Sequence, residues 1–374
     1  DPACAFVCPC SDDEDFPPHG LSPVYEPRVA RPHEPHEHKA CVELLPFQGP
    51  SETSVLNHRR FCSWTDRDPE VLSGELLRDA YYACVSAHAG SSRAKRLMEK
   101  LNEPLAELQC CNLQGKKVEA CLSFWLNCLN AATLIAATAP SRVGVSESPS
   151  NLSAWVELLN TAQLEVQGEV MSLAEIEDSL TCGACGACGE VGSPSPSSES
   201  EKRNRIRVKR LKRSMPQAVF GIHRPTSSHP PLRLFRERAV LFQLDLNAIH
   251  LLQHTCVDSW RRKVTLPGFL QNLDVAAFEA EGLLELVWSL LQKAPSQLAQ
   301  LEAATSADQA DHQVLAKAQD LAKQFEALRR AGGSTGGFAG VRVEFFDPDW
   351  SLKPPSEPVC HLLAAEVSRL PKTP

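Results

Sequence analysis

The chain has 374 residues, a formal net charge of −8, 28 prolines and 15 cysteines. The acidic balance excludes a protein built as a whole to coat nucleic acid. An odd cysteine count at this dilution excludes a disulfide-framed miniature fold, while 43% hydrophobic residues suffice for one large core or two modest ones.

Residues 1–69 mix prolines, the acidic run Asp12–Asp15 and the histidines His33, His36 and His38. Apolar residues there recur with no period, so the segment reads as a disordered tail in which the three imidazoles have no preformed geometry for a cation. Asp68-Pro69-Glu70 reads as a helix start, and Val71, Leu72, Leu76, Leu77, Ala80 and Tyr81 follow at helical spacing. A second helical stretch runs from Ala94 to about Leu108, interrupted near Pro104.

Cys121–Ala139 carries no charge and has the length of a membrane span. Asn127 and Asn130, one turn apart within it, are costly in hydrocarbon, so the stretch is expected to be the buried helix of a core, with each amide fixing backbone groups of a neighbouring loop, and no transmembrane segment is expected. A helix is expected around Leu152–Leu159 and an extended segment over Leu164–Val170. Ser172, with Glu175 three residues on, forms a capping box that should open a short helix.

Periodicity stops at residues 181–200, a low-complexity loop holding Cys182, Cys185 and Cys188. Zinc and iron–sulfur sites take four ligands, and only three thiols are present, so these are weak metal candidates, and an oxidisable loop is the other reading. In Lys202–Arg213, eight of twelve residues are basic. As a loop this run would suit nucleic acid, acidic lipid or nuclear targeting; the alternation Arg205-Ile206-Arg207-Val208-Lys209 equally suits an edge strand protected by charge.

Val219–Ile222 reads as a buried strand, Phe242–His254 as a helix and Val264–Pro267 as a short strand or turn. His250 and His254 share a helix face, but Leu251 stands where a metalloprotease helix carries glutamate. Leu283, Leu284, Val287, Trp288, Leu290 and Leu291 mark another helix, and Ser296–Arg330 a polar helical hairpin turning near Ser306–Asp308. A glycine-rich hinge at 331–337 precedes the β alternation Val341–Phe346, and residues 356–374 read as a loose tail.

Five of these segments, in order, resemble the family known as domain of unknown function 547. Phe124-Trp125-Leu126-Asn127-Cys128-Leu129-Asn130-Ala131 is similar to its Phe-Trp-Ile/Leu-Asn helix, and Ser172 through Glu177 to its Ser-Leu-x-x-Ile-Glu helix start. Phe220-Gly221-Ile222 with Pro230-Pro231-Leu232-Arg233-Leu234-Phe235 is similar to its Phe-Ala-Leu strand and following turn. Val264-Thr265-Leu266-Pro267 matches a Val-x-Leu-Pro signature, and Val343 through Leu352, including Asp349 and Trp350, its closing strand. The resemblance implies a structural motif set of Phe124, Trp125, Asn127, Asn130, Ser172, Glu177, Phe220, Pro231, Arg233, Pro267, Asp349 and Trp350. It also marks departures: Val219 stands where members carry histidine, Arg224-Pro225 where they carry Cys-Gly, His229 where they carry serine, and Lys353 where they carry asparagine.

These readings give an α+β protein, a helix-rich domain on a small, mostly antiparallel sheet with disordered tails and a disordered internal loop. The domain spans residues 70–355, with insertions at 181–213 and 296–330. The first functional reading is a non-catalytic interaction or scaffold module, cytoplasmic with nuclear entry through the basic run as the alternative, whose partner is a protein and whose contact surfaces are the helical insertion and the basic run. One alternative is a hydrolase or thiol-transfer enzyme at the turn after Phe220, using His223 or His229 with Asp349. Another is metal or redox sensing through Cys182–Cys188. No cofactor is called for.

Overall fold

The first long helix, α1 (Pro69–His88), begins where the sequence places it: the Asp68 carboxylate accepts the Glu70 amide at 2.8 Å and Pro69 fills a first-turn position that has no amide to satisfy. In the computed structural model, which describes residues 42–44, 54–58, 60–181, 216–272, 280–303, 309–332 and 337–353, α1 lies along α4 (Val118–Thr138). The two bury Leu72, Leu76, Leu77, Tyr81, Phe124, Leu126 and Leu129 against each other and their neighbours. α4 is long and apolar enough to cross a membrane, yet almost all of it is covered by protein.

Between them come α2 (Arg93–Lys100) and α3 (Asn102–Glu107), separated at Leu101 rather than at Pro104, which sits inside the first turn of α3 where its missing amide costs nothing. α5 (Leu152–Thr161) leads into an antiparallel hairpin, β3 (Gln163–Val166) and β4 (Glu169–Ser172). Its two-residue turn has Gln167 at φ 54° and Gly168 at φ 74°, a left-handed pair suited to a tight hairpin. α6 (Leu173–Thr181) opens on the capping box, with the Glu175 carboxylate accepting the Ser172 amide at 2.7 Å and Ser172 Oγ accepting the Glu175 amide at 3.1 Å.

Ordered structure begins before Pro69, where the sequence reading has a tail. β1 (Val42–Leu44) pairs antiparallel with β2 (Arg60–Cys62), and Asn57 is buried between them and the main body. Its carboxamide donates to Leu105 O at 2.9 Å and Glu165 O at 2.8 Å and accepts the Glu165 amide at 3.0 Å. Polar side chains, Asn57 here and Gln109 from the main body, hold the hairpin, which no apolar period announces.

The segment Val219–Ile222, expected as a strand, lies in a 3-10 helix over Pro216–Gly221 and the residue after it. A run of four apolar residues cannot be assigned by period alone, and here it serves two cores at once. Ala218 and Ile222 belong to the first, while Val219 and Phe220 belong to a second. α7 (Val240–Leu252) spans the same seam, giving Val240 and Leu244 to one core and Leu246, Ile249 and Leu252 to the other.

The second core is closed by α8 (Ala280–Leu291), α9 (Ala294–Ala303), α10 (Gln309–Arg330) and a three-stranded sheet. β5 (Cys256–Asp258) pairs antiparallel with β6 (Lys263–Leu266), which pairs parallel with β7 (Arg342–Phe345). α10 buries Leu315, Ala318, Leu321, Phe325 and Leu328, so the helical insertion is half core rather than a free contact surface. The whole is α+β, helices around three small sheets.

Candidate functional site

Residues 222–239, between the 3-10 helix and α7, form no regular element apart from turns, yet much of the stretch is buried. Its backbone amides and carbonyls therefore need partners other than water. Four buried carboxamides supply them. From α4, Asn127 donates to Phe235 O at 2.9 Å and accepts the Phe235 amide at 2.9 Å, while Asn130 donates to Gly221 O at 2.8 Å and accepts the His223 amide at 2.9 Å. From α7, Gln243 donates to Leu234 O at 2.7 Å and accepts the Arg236 amide at 3.0 Å. Asn247 donates to Phe220 O at 2.9 Å and Pro231 O at 3.0 Å, and its oxygen accepts Nε of the buried Arg233 at 2.6 Å. Asn127 and Asn130 are three residues apart and Gln243 and Asn247 four, so each pair shares one helix face.

Two histidines lie inside this turn, both buried. His223 Nδ1 is 2.7 Å from Pro230 O; a carbonyl only accepts, so Nδ1 carries the proton and Nε2 the lone pair. That Nε2 is buried and has no hydrogen-bond partner. Burial pushes the His223 imidazole down to about 4, against a weaker opposing pull from the Pro230 carbonyl. His229 Nδ1 is 2.6 Å from Thr226 Oγ1, its Nε2 faces Arg224 Nη1 at 3.5 Å, and its ring stands edge-on to Phe269 and Trp350, each at 5.1 Å between centroids. Burial first, then the charge of Arg224, hold His229 well below the usual histidine range.

Arg224 faces α6, where its Nη2 reaches both carboxylate oxygens of Glu177, at 2.9 and 3.0 Å. The strap after β7 closes over the turn. Trp350 O accepts the indole N–H of the buried Trp155 at 3.0 Å, and the Lys353 amide donates to Pro225 O at 2.7 Å. The Asp349 carboxylate accepts from Ser227 Oγ at 2.9 Å, Lys353 Nζ at 2.6 Å and the Ser351 amide at 3.0 Å. The Lys353 ammonium, with the Ser351 and Ser227 donors, holds this solvent-facing carboxyl far below its usual range.

The histidine–aspartate pairing anticipated at this turn is therefore not assembled: neither His223 nor His229 is among the hydrogen-bond partners of Asp349. Phe124 is buried with Trp125 edge-on to it at 5.4 Å, Phe220 fills the second core, and Pro267 O accepts the Leu270 amide at 3.0 Å. Cys182, Cys185, Cys188 and Lys202–Arg213 lie outside the described residues. Among the described residues, no group of three or more His, Cys, Asp or Glu side chains is placed to hold a metal ion.

Residues 113–250 match the model of a family described as a protein of unknown function, DUF547. Over that stretch the chain is similar to the DUF547 family. No curated protein and no solved structure matches the chain. The DUF547 stretch contains all four clamping amides, both imidazoles and the Arg224–Glu177 pair, and it ends inside α7. The strap with Asp349 and Trp350 lies beyond it and reaches the DUF547 turn only in space. Gln243 and Asn247 were legible by the same reasoning as the α4 asparagines, being amides at i, i+4 on an apolar helix. The ion pair of Arg224 with Glu177, 47 residues apart, had no local signal.

Proposed function

We propose that the chain is a non-catalytic interaction module whose partner is a protein. The observation that carries this reading is the pairing of Arg224 with Glu177. Where the resemblance puts a cysteine stands a guanidinium committed to a carboxylate of the same domain, and the imidazole beside it is held neutral. A base with a pKa near 4 accepts protons poorly at neutral pH, and a buried turn clamped by four carboxamides is suited to holding a shape.

The contact residue we assign is Trp260, 94% exposed on the loop between β5 and β6. The end of the loop is anchored: Arg262 adopts φ 49° and its guanidinium donates to Ala331 O and Ala339 O, both at 2.8 Å. Tryptophan and arginine are enriched among the residues that carry binding energy at protein interfaces, and an anchored loop loses less entropy on docking. Cytoplasmic location, and nuclear entry or binding to nucleic acid or acidic lipid through Lys202–Arg213, are proposals on composition alone.

The enzyme alternative draws on the unpartnered Nε2 of His223. Affinity capture with wild type, Trp260→Ala and His223→Asn separates the two. The interaction reading expects Trp260→Ala, a change on a solvent-exposed loop, to lose partners that His223→Asn retains. Full retention by Trp260→Ala would sink the assignment of the contact.

A further inference from the structure

At the N-terminal edge of the first core, Cys62 in β2 and Cys110, in the 3-10 turn Leu108–Cys110 after α3, bring their sulfurs to 3.3 Å. Their backbones are already joined. Gln109 accepts the Cys62 amide at 3.0 Å and donates to Asn57 O at 3.1 Å and Arg60 O at 2.6 Å, so the residue next to one cysteine holds the strand that carries the other. Cys62 is 2% exposed and donates its S–H to Trp64 O at 3.0 Å, while Cys110 is half-buried. A disulfide needs about 2.05 Å between sulfurs, a closure of about 1.3 Å, small beside what a side-chain rotation gives.

We propose that Cys62 and Cys110 are a reversible disulfide site, a redox latch that fixes the β1–β2 hairpin to the end of α3, with glutathione disulfide as the oxidant class. Cys110, the more accessible thiol, loses its proton to solvent and attacks one sulfur of glutathione disulfide, expelling one glutathione thiolate and forming a mixed disulfide. Cys62 then loses its proton and attacks the Cys110 sulfur, expelling the second thiolate. Two cysteine thiols are oxidised by two electrons, one glutathione disulfide is reduced, and both thiolates take up the released protons as glutathione.

The neighbouring thiols do not compete. Cys111 is buried beside Cys110 and Cys128 is wholly enclosed in α4, so neither is open to glutathione disulfide as the half-buried Cys110 is. Burial pushes Cys110 up, to about 12, with Cys62 beside it adding to the rise, so its thiolate is scarce and the latch sets slowly. The cross-link closes a loop across 48 residues of separation and ties down a hairpin that shows Phe61 and Trp64 to solvent.

The test incubates the purified full chain in glutathione-disulfide buffer or in excess dithiothreitol, blocks free thiols, digests and maps linked peptides. The expected result is a Cys62–Cys110 link in the oxidising buffer only, retained in Cys111→Ser and absent from Cys110→Ser. Melting temperature should rise by about 5 °C or more on oxidation of wild type, and not of Cys110→Ser. Complete blocking of both thiols in the oxidising buffer, or a link running through Cys111 or Cys128, would overturn the proposal, and so would a link without the thermal shift. Should Cys110→Ser fail to fold, the peptide map of wild type and Cys111→Ser decides alone.

Discussion

Asn127 and Phe235 exchange two hydrogen bonds across 108 residues of sequence, the carboxamide donating to the carbonyl and accepting the amide, each at 2.9 Å. Both backbone groups belong to a stretch without regular structure, inside a core where Asn127 is 0% exposed. Asn127→Ala leaves an amide and a carbonyl unpaired, at about 1–3 kcal/mol each, so a total loss of about 2–5 kcal/mol is expected from urea unfolding. A loss below about 1 kcal/mol would mean that the loop finds other partners.

Arg224 and Glu177 form a mostly covered ion pair in which one guanidinium nitrogen spans both carboxylate oxygens. A double-mutant cycle with Arg224→Ala and Glu177→Ala should give a coupling of about 1–2 kcal/mol, more than an exposed pair gives. The Arg224→Ala change should also let the His229 imidazole titrate at higher pH, since the Arg224 charge helps hold it down. An unmoved His229 with zero coupling would contradict the arrangement.

The pH dependence of stability follows from His223. Its folded pKa, about 4, lies below the ordinary 6.5, so the unfolded chain binds a proton that the folded chain refuses. The contribution is fully present above about pH 6.5 and is lost as pH falls toward 4; for a wholly buried imidazole it amounts to about 3 kcal/mol. His229 acts in the same direction. His223→Asn keeps a donor for Pro230 O without the titration, and should flatten the decline in urea midpoint between pH 6.5 and 4. An unchanged decline would place the proton uptake elsewhere.

Gly268 is crossed by the chain leaving β7. A Cβ there would sit well inside contact distance of the Phe346 carbonyl oxygen and 2.9 Å from Pro348 Cδ. Backbone cannot swing aside as a side-chain tip can. Gly268→Ala should therefore destabilise by about 2 kcal/mol or more and free the Trp350 strap, seen as faster amide exchange at Phe346 and Lys353. Retained protection at both amides would show that the strap is not held by this approach.

The helices were legible because their apolar residues repeat at helical spacing: α1 from Asp68-Pro69, α6 from its capping box, and α4 with two asparagines that only a buried loop could satisfy. The 3-10 helix at Pro216–Gly221 was not, because four consecutive apolar residues facing two cores carry no period. The β1–β2 hairpin was hidden for the opposite reason, being docked through Asn57 and Gln109 rather than an apolar stripe. At the turn, the sequence marked His223, His229 and Asp349 as chemically notable. Only the geometry shows that Asp349 turns to Lys353 and two serines.

We propose that the turn at 222–239 is a structural element, and its two imidazoles are the test. Nitrogen-15 NMR of the imidazoles in the full chain measures it directly. The structure predicts His223 as the neutral Nδ1–H tautomer at pH 7, gaining a proton only near pH 4, with His229 neutral throughout that range. A His223 signal that titrates between pH 6 and 7, or that carries its proton on Nε2, would contradict the account and return the turn to the enzyme reading.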